Sequence, residues 1–293
     1  MMKKILMWVI ILTVFTIKSE AQDITHYFTV NQLADATDYL PPPPDTTSVQ
    51  FAYDVSQYYW GKSIRNTERG LQAIYDSQGV YTVICENFSE AFGMTISPEE
   101  TPAMYKVVAN SLKTTSNATS KCKNYYRRIR PFQMFNEESI ITGETLSETS
   151  FPSTHSAKGW MLALLLGEIN PNKQVALLNK GYEYGQSRVI VGAHWQTDVD
   201  AGRMVGSATL SRLHSDSTFM ADLESAKAEY NAIINNPLSH PPFPKIAGNI
   251  DAAEERYATS DVHWYTIDGK PADDDTQGIV VGSNGKKVLR TDR

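Results

Sequence analysis

The sequence predicts an all-α protein, a compact multi-helix domain followed by a short β-prone C-terminal tail. Three observations lead there. From about Thr47 to Asn235 apolar residues recur at three and four spacing, the pattern of helix faces turned toward a core. Strand signals are scarce over the same stretch. Beyond Pro237 the character changes, first to a proline-rich stretch and then to two short β-prone runs around Asn284-Gly285, a pair suited to a hairpin turn.

Taken in order, the chain opens with Lys3 and Lys4, then thirteen apolar or weakly polar residues from Ile5 to Ile17, then Ser19-Glu20-Ala21. This reads as a secretory signal peptide over residues 1–21, and its run is short of the ~20 residues of a bilayer span. Residues 22–46 read as an extended arm, because Pro41, Pro42, Pro43 and Pro44 each fix φ and remove a donor. The helical domain is expected over 47–236, with periodic segments at 58–76, 102–115, 157–169, 172–186, 195–213 and 219–234. Asn170-Pro171 suits a cap followed by proline at the first helical position. A linker is expected over 237–262, and a hairpin-like tail over 263–293.

Net charge is −6, and loss of residues 1–21, with three lysines and one glutamate, takes it to −8. An acidic exported protein is a poor partner for nucleic acid or an anionic membrane. A local cluster of cations within it is therefore informative. Cys85 and Cys122 are the two cysteines, and an oxidising compartment permits a bridge between them as readily as two buried free thiols.

Three segments carry unusual chemistry. The first, KNYYRRIRP, holds Lys123, Arg130 and Pro131; the second, FPSTHSAKGW, holds Ser153, Thr154 and His155; the third, SRVIVGAHWQTD, holds Arg188, His194 and Asp198. Singly each has a bland reading, as a solvated basic face, a helix entry and a core histidine. Together they match what phosphoryl transfer asks for. Charge spreads over three equatorial oxygens during transfer, so a protein mainly supplies position and positive charge. Arg130 and Arg188 offer bidentate forks, Lys123 a point charge, and a helix starting near Ser153 the positive end of a dipole. His194 and Asp198 are four apart, so on a helix they share a face, and the carboxylate would fix the tautomer that leaves one ring nitrogen free to attack phosphorus. His155 would protonate the departing alkoxide.

These segments resemble the three-part signature of the bacterial class A non-specific acid phosphatases, within the type 2 phosphatidic acid phosphatase superfamily that also holds the vanadium haloperoxidases. Lys123 is followed after six residues by Arg130-Pro131; Ser187-Arg188 is followed after five by His194 and after three more by Asp198. The arm YLPPPP and the stretch GYEYGQSRVIVGAHWQTDVDAGR are similar to class A members as well. The resemblance implies an all-α fold, a phosphohistidine on His194, proton donation by His155, and phosphate held by Lys123, Arg130, Ser153, Thr154 and Arg188. It implies no metal or other cofactor, small soluble phosphoesters as substrates, a periplasmic or secreted location without stable membrane insertion, and leaves phosphotransfer to other alcohols and a homodimer open. One departure stands out. Thr154 occupies a position where the family usually has glycine, which is tolerable if residue 154 sits in ordinary helical backbone. The tail also extends beyond the family's usual end, and WYTIDGKPADDDTQGIVVGSNGKKVLR resembles C-terminal sorting tails of Gram-negative secreted proteins.

Rival readings remain. A serine hydrolase would use Ser187, but Gly185-Gln186-Ser187-Arg188-Val189 lacks the second glycine of a nucleophile elbow. A metal site from His155, His194 and Asp198 is opposed by the nearby cations. A vanadate-dependent haloperoxidase would use the same oxyanion pocket, and an exported phosphate-binding protein would need the cations but neither histidine.

Overall fold

Nine α-helices run through the described residues of the computed structural model: α1 (Val49–Ser63), α2 (Glu68–Asp76), α3 (Tyr81–Phe92), α4 (Pro102–Tyr126), α5 (Pro131–Met134), α6 (Thr154–Ile169), α7 (Gln174–Ile190), α8 (Gln196–Leu213) and α9 (Ser217–Asn235). Described are residues 23–141 and 149–236, with the backbone of four strands in the tail. The expected signal peptide and linker lie outside the described residues, as do positions 283–286 at the expected hairpin turn.

The centre of the fold follows from one sequence, THSAKGWMLALLLGEI. Its apolar residues are not confined to one stripe, and a helix of that kind must be covered on several sides. Accordingly α6 packs against α4, α7 and α8. Leu162, Leu165 and Leu166 are fully buried, each contributing about 1.5–3 kcal/mol of transfer free energy. Close approach of α8 is allowed by Gly202, where an added Cβ would stand 2.5 Å from the Ser153 carbonyl oxygen.

Capping residues set most boundaries. Ser48 accepts from Phe51 N at 3.1 Å to start α1, and Asp216 accepts from Phe219 N at 2.9 Å to start α9. Pro102 takes the first turn of α4, whose N–H groups have no helical partner. The periodic stretch 58–76 is divided into α1 and α2, because Thr67 caps a new helix by accepting from Gly70 N. Asn170 ends α6 and makes no side-chain cap for the short turn Pro171–Lys173; its Nδ2 donates to the Phe92 carbonyl at 3.0 Å and ties α6 to the end of α3.

Two sequence expectations change. The arm over 22–46 is not extended throughout: Val30–Gln32 and Ala36–Asp38 form 3-10 turns, the second built on the Asp35 carboxylate, which accepts from Thr37. Phe28, Leu33, Ala36 and Leu40 from this arm join the core. In the tail, the two β-prone runs become Gly278–Gly282 (β3) and Lys287–Arg290 (β4), paired antiparallel, and Trp264–Thr266 (β1) and Pro271–Ala272 (β2) complete a sheet of order β2-β1-β3-β4. Cys85 and Cys122 are both buried as free thiols, and burial pushes each up to about 12.

Candidate active site

The site is assembled where α4, α6, α7 and α8 begin or end. Lys123 lies in the last turn of α4, its Nζ donating to the Thr149 carbonyl at 2.6 Å while Thr149 Oγ1 returns a bond to the Lys123 carbonyl. Arg127 then takes φ 46°, a left-handed stop that ends the helix. Residues 128–130 follow without helical structure, so alternate side chains share a side: Arg128 and Arg130 turn inward while Ile129 is 55% exposed. Arg130 is buried; its Nη1 donates to the Ala193 carbonyl at 2.6 Å and lies 3.0 Å from His194 Nε2. Arg188, in the last turn of α7, is equally buried.

The second segment starts α6. Ser153 is the cap, its Oγ accepting from Ser156 N at 3.3 Å, and Thr154 is the first helical residue. Among the described residues, positive φ outside glycine occurs at Arg127 and Asn136 and not at Thr154, so threonine stands here without backbone strain. Its hydroxyl lies 2.8 Å from Thr119 Oγ1 on α4. His155 stacks on Tyr184, with ring centroids 6.2 Å apart, and its Nε2 is 3.1 Å from the Ser77 carbonyl oxygen. That acceptor makes Nε2 the N–H nitrogen and leaves Nδ1 for proton exchange.

The helical argument for His194 and Asp198 is corrected. α8 begins only at Gln196, so His194 lies in the preceding turn, and Asp198 is the third helical residue, accepting from Trp195 N at 2.8 Å. Gly192, at φ 76°, makes that turn possible. His194 Nδ1 is 3.5 Å from Asp198 Oδ2, longer than a good hydrogen bond. Ser150 lies between them: its hydroxyl donates to Asp198 Oδ2, and its Oγ is 3.5 Å from His194 Nδ1. Because Arg130 is a donor only, its contact makes Nε2 the lone-pair nitrogen of His194.

Electrostatics tie the segments together. Burial, then Arg130, Lys123 and Arg188 in that order, hold the His194 imidazole well below its usual range. Burial, then Arg188, Lys158 and His194, do the same for His155. All three cations nominated from the sequence thus act on the His194 ring, and His194 in turn acts on His155. Ser187, the rival nucleophile, donates its hydroxyl to the Asp76 carboxylate at 2.5 Å and lies 3.0 Å from the Glu183 carbonyl, so its hydroxyl meets a carboxylate and a backbone oxygen rather than an imidazole. Among the described residues no group of three or more His, Cys, Asp and Glu side chains has metal-holding geometry, and no helix is long and apolar enough to cross a membrane.

Sequence reasoning missed four contributors: Ser77, Ser150, Arg128 and Asp54. Arg128 had a signal in the alternation Arg-Ile-Arg. Asp54, on α1, had none, because only folding brings it to the Arg128 guanidinium, 2.7 Å away.

Comparison with known proteins identifies related chains. Residues 105–218 match the PAP2 superfamily. The chain is 40% identical to a non-specific acid phosphatase of Providencia stuartii over 227 residues, covering 74% of this chain and 92% of that protein. It is 37% identical to a non-specific acid phosphatase of Salmonella typhimurium, covering 78% and 92% respectively, and 29% identical to an acid phosphatase of Zymomonas mobilis, covering 73% and 80%.

Proposed function

The chain belongs to the PAP2 superfamily, and from that membership we propose that it is a metal-independent acid phosphatase that hydrolyses small soluble phosphomonoesters through a phosphohistidine on His194. One observation carries the reading: an imidazole whose lone-pair nitrogen lies 3.0 Å from the buried Arg130 fork, within the field of Lys123 and Arg188 and beside a second imidazole from another segment. Anion binding alone would need the cations but no pair of rings with opposite hydrogen-bonded faces.

In the proposed reaction, Arg130, Arg188 and Lys123 hold the phosphoryl oxygens with the dipole of α6 behind them. His194 Nε2 attacks phosphorus as the P–O bond to the alcohol breaks, and His155 gives a proton from Nδ1 to the departing oxygen. Neutral His155 then takes a proton from water, whose oxygen attacks phosphorus. The P–N bond breaks and inorganic phosphate leaves. An alcohol in place of water would give phosphotransfer. Export to the periplasm or medium is part of the same reading, supported by the charge, apolar run and small residues of 1–21.

The test is rapid quenching with labelled substrate, followed by mapping of the acid-labile phosphate. Label is expected on His194, and His194→Ala should lose both label and turnover. His155→Ala is expected to lose about 10²–10⁴-fold with alkyl esters and much less with nitrophenyl esters, whose leaving group needs little protonation. Full turnover in His194→Ala would sink the phosphohistidine; equal losses on both ester types would remove the proton donor.

A further inference from the structure

Asp198 is not held by His194. Its Oδ1 takes a 2.5 Å bond from Arg128 Nη1, and its Oδ2 takes bonds from Trp195 N and Ser150 Oγ. Arg128 in turn is tethered on its other side, where Nη2 meets Asp54 Oδ2 at 2.7 Å. Asp54 is fully buried and also accepts from Thr197 N at 2.8 Å and Thr197 Oγ1 at 2.7 Å, so this carboxylate of α1 grips both the guanidinium and the first turn of α8. A circuit then closes on the segment that also presents Arg130. Ser150 N donates to the Arg128 carbonyl at 2.9 Å, Ser150 Oγ donates to Asp198, and Asp198 accepts from Arg128. The guanidinium lies 5.4 Å over the Trp195 ring, and Trp195 Nε1 donates to the Ile129 carbonyl at 2.9 Å.

We infer that Arg128, anchored by Asp54, is a positioning residue: it fixes Asp198 and Ser150, and through them the turn that aims His194 at phosphorus. A planar fork bridging two carboxylates sets direction as well as charge, which an ammonium cannot reproduce. Arg130 meets the same turn at Ala193 and His194, so two arginines two residues apart hold it at different points. The inference rests on His194 being the nucleophile. Failure of that premise appears separately, as full turnover in His194→Ala.

The experiment uses the full chain with Asp54→Asn and Arg128→Lys, assayed for kcat, KM and the inhibition constant of inorganic phosphate. A nucleophile displaced by a fraction of an ångström loses rate before it loses binding. Both variants are expected to lose about 10–100-fold in kcat, with KM and phosphate inhibition within about threefold. A pH profile adds a readout that loose packing alone would not move. His194 faces Arg130 and Lys123 from the end of α4 and the segment after it, Arg188 from α7, His155 from α6, and Asp198 with its Arg128 partner. In Asp54→Asn the Arg128 charge is left to Asp198 alone, which then supports an imidazolium less, so the acid limb of kcat/KM should move to lower pH. The inference is overturned if either folded variant keeps kcat within threefold, or if phosphate inhibition weakens in step with kcat, which would make Arg128 a phosphate ligand. Arg128→Lys keeps the charge and carries the test if Asp54→Asn fails to fold.

Discussion

His155 poses the main chemical question at the residue scale, because the proposed proton donor is buried beside cations that oppose its protonation. Its imidazole is held down by burial, Arg188, Lys158 and His194, and Lys158 is itself pushed down to about 8 by burial. A phosphate ester brings negative charge to Arg188 and so lifts the imidazole toward protonation. kcat/KM reports the free enzyme and kcat the complex. The basic limb, where His155 loses its proton, should therefore lie at higher pH in kcat than in kcat/KM. Coincident limbs in the two profiles would mean that His155 is not the group titrating. Thr154 is informative in another way. Its hydroxyl bonds Thr119 and its backbone is ordinary helix, so the residue that departs from the usual family glycine joins α4 to α6. The sequence made the histidines, the cations and Thr154 legible because their spacing is local. Asp54 and Ser77 were illegible, since each enters the site through a contact whose partners are more than seventy residues apart.

Helix ends decide the site at the scale of elements. Lys123 and Arg188 sit in last turns, Ser153 and Asp198 in the caps of first turns. The sequence predicted most of these helices from periodicity, but α3 went unread: YTVICENFSEAF mixes β-branched and aromatic residues and starts from Val80, which makes no side-chain cap. The pairing of His194 with Asp198 supposed a helix that held both. What stops it is Gly192, whose positive φ reverses the chain between α7 and α8 and whose missing Cβ leaves room for the Arg65 guanidinium. Arg65 Nε donates to the Ile190 carbonyl at 2.7 Å, so the space is structurally used. Gly192→Ala should cost about 1–3 kcal/mol in chemical denaturation, and should lower kcat more than it raises KM, because His194 is two residues away. A variant as stable and as fast as the parent would remove the turn's role.

Across the whole molecule, burying two imidazoles among cations makes stability depend on pH, with a sign fixed by linkage. Both rings have folded pKa values below the unfolded value of about 6.5. Below that value the unfolded chain binds protons the folded chain refuses, so the stability these rings contribute is present above pH 6.5 and is lost as pH falls from there toward the folded values. Each ring gives a slope of up to about 1.4 kcal/mol per pH unit. His214 acts oppositely: although burial lowers it, bonds to the Leu210 carbonyl and Glu168 raise it overall, but its side chain is 36% exposed and its effect is damped by solvent. An oxyanion among Lys123, Arg130 and Arg188 should cancel much of the penalty by letting the rings charge. Sulfate suits the measurement, because its charge is fixed across this range. Unfolding free energy without sulfate should fall between pH 6.5 and 5, and the stabilisation by a fixed sulfate concentration should grow over the same interval as proton uptake accompanies binding. Sulfate stabilisation independent of pH would mean that the cations and the imidazoles do not share one site, and the proposed displacement at phosphorus would lose its physical basis.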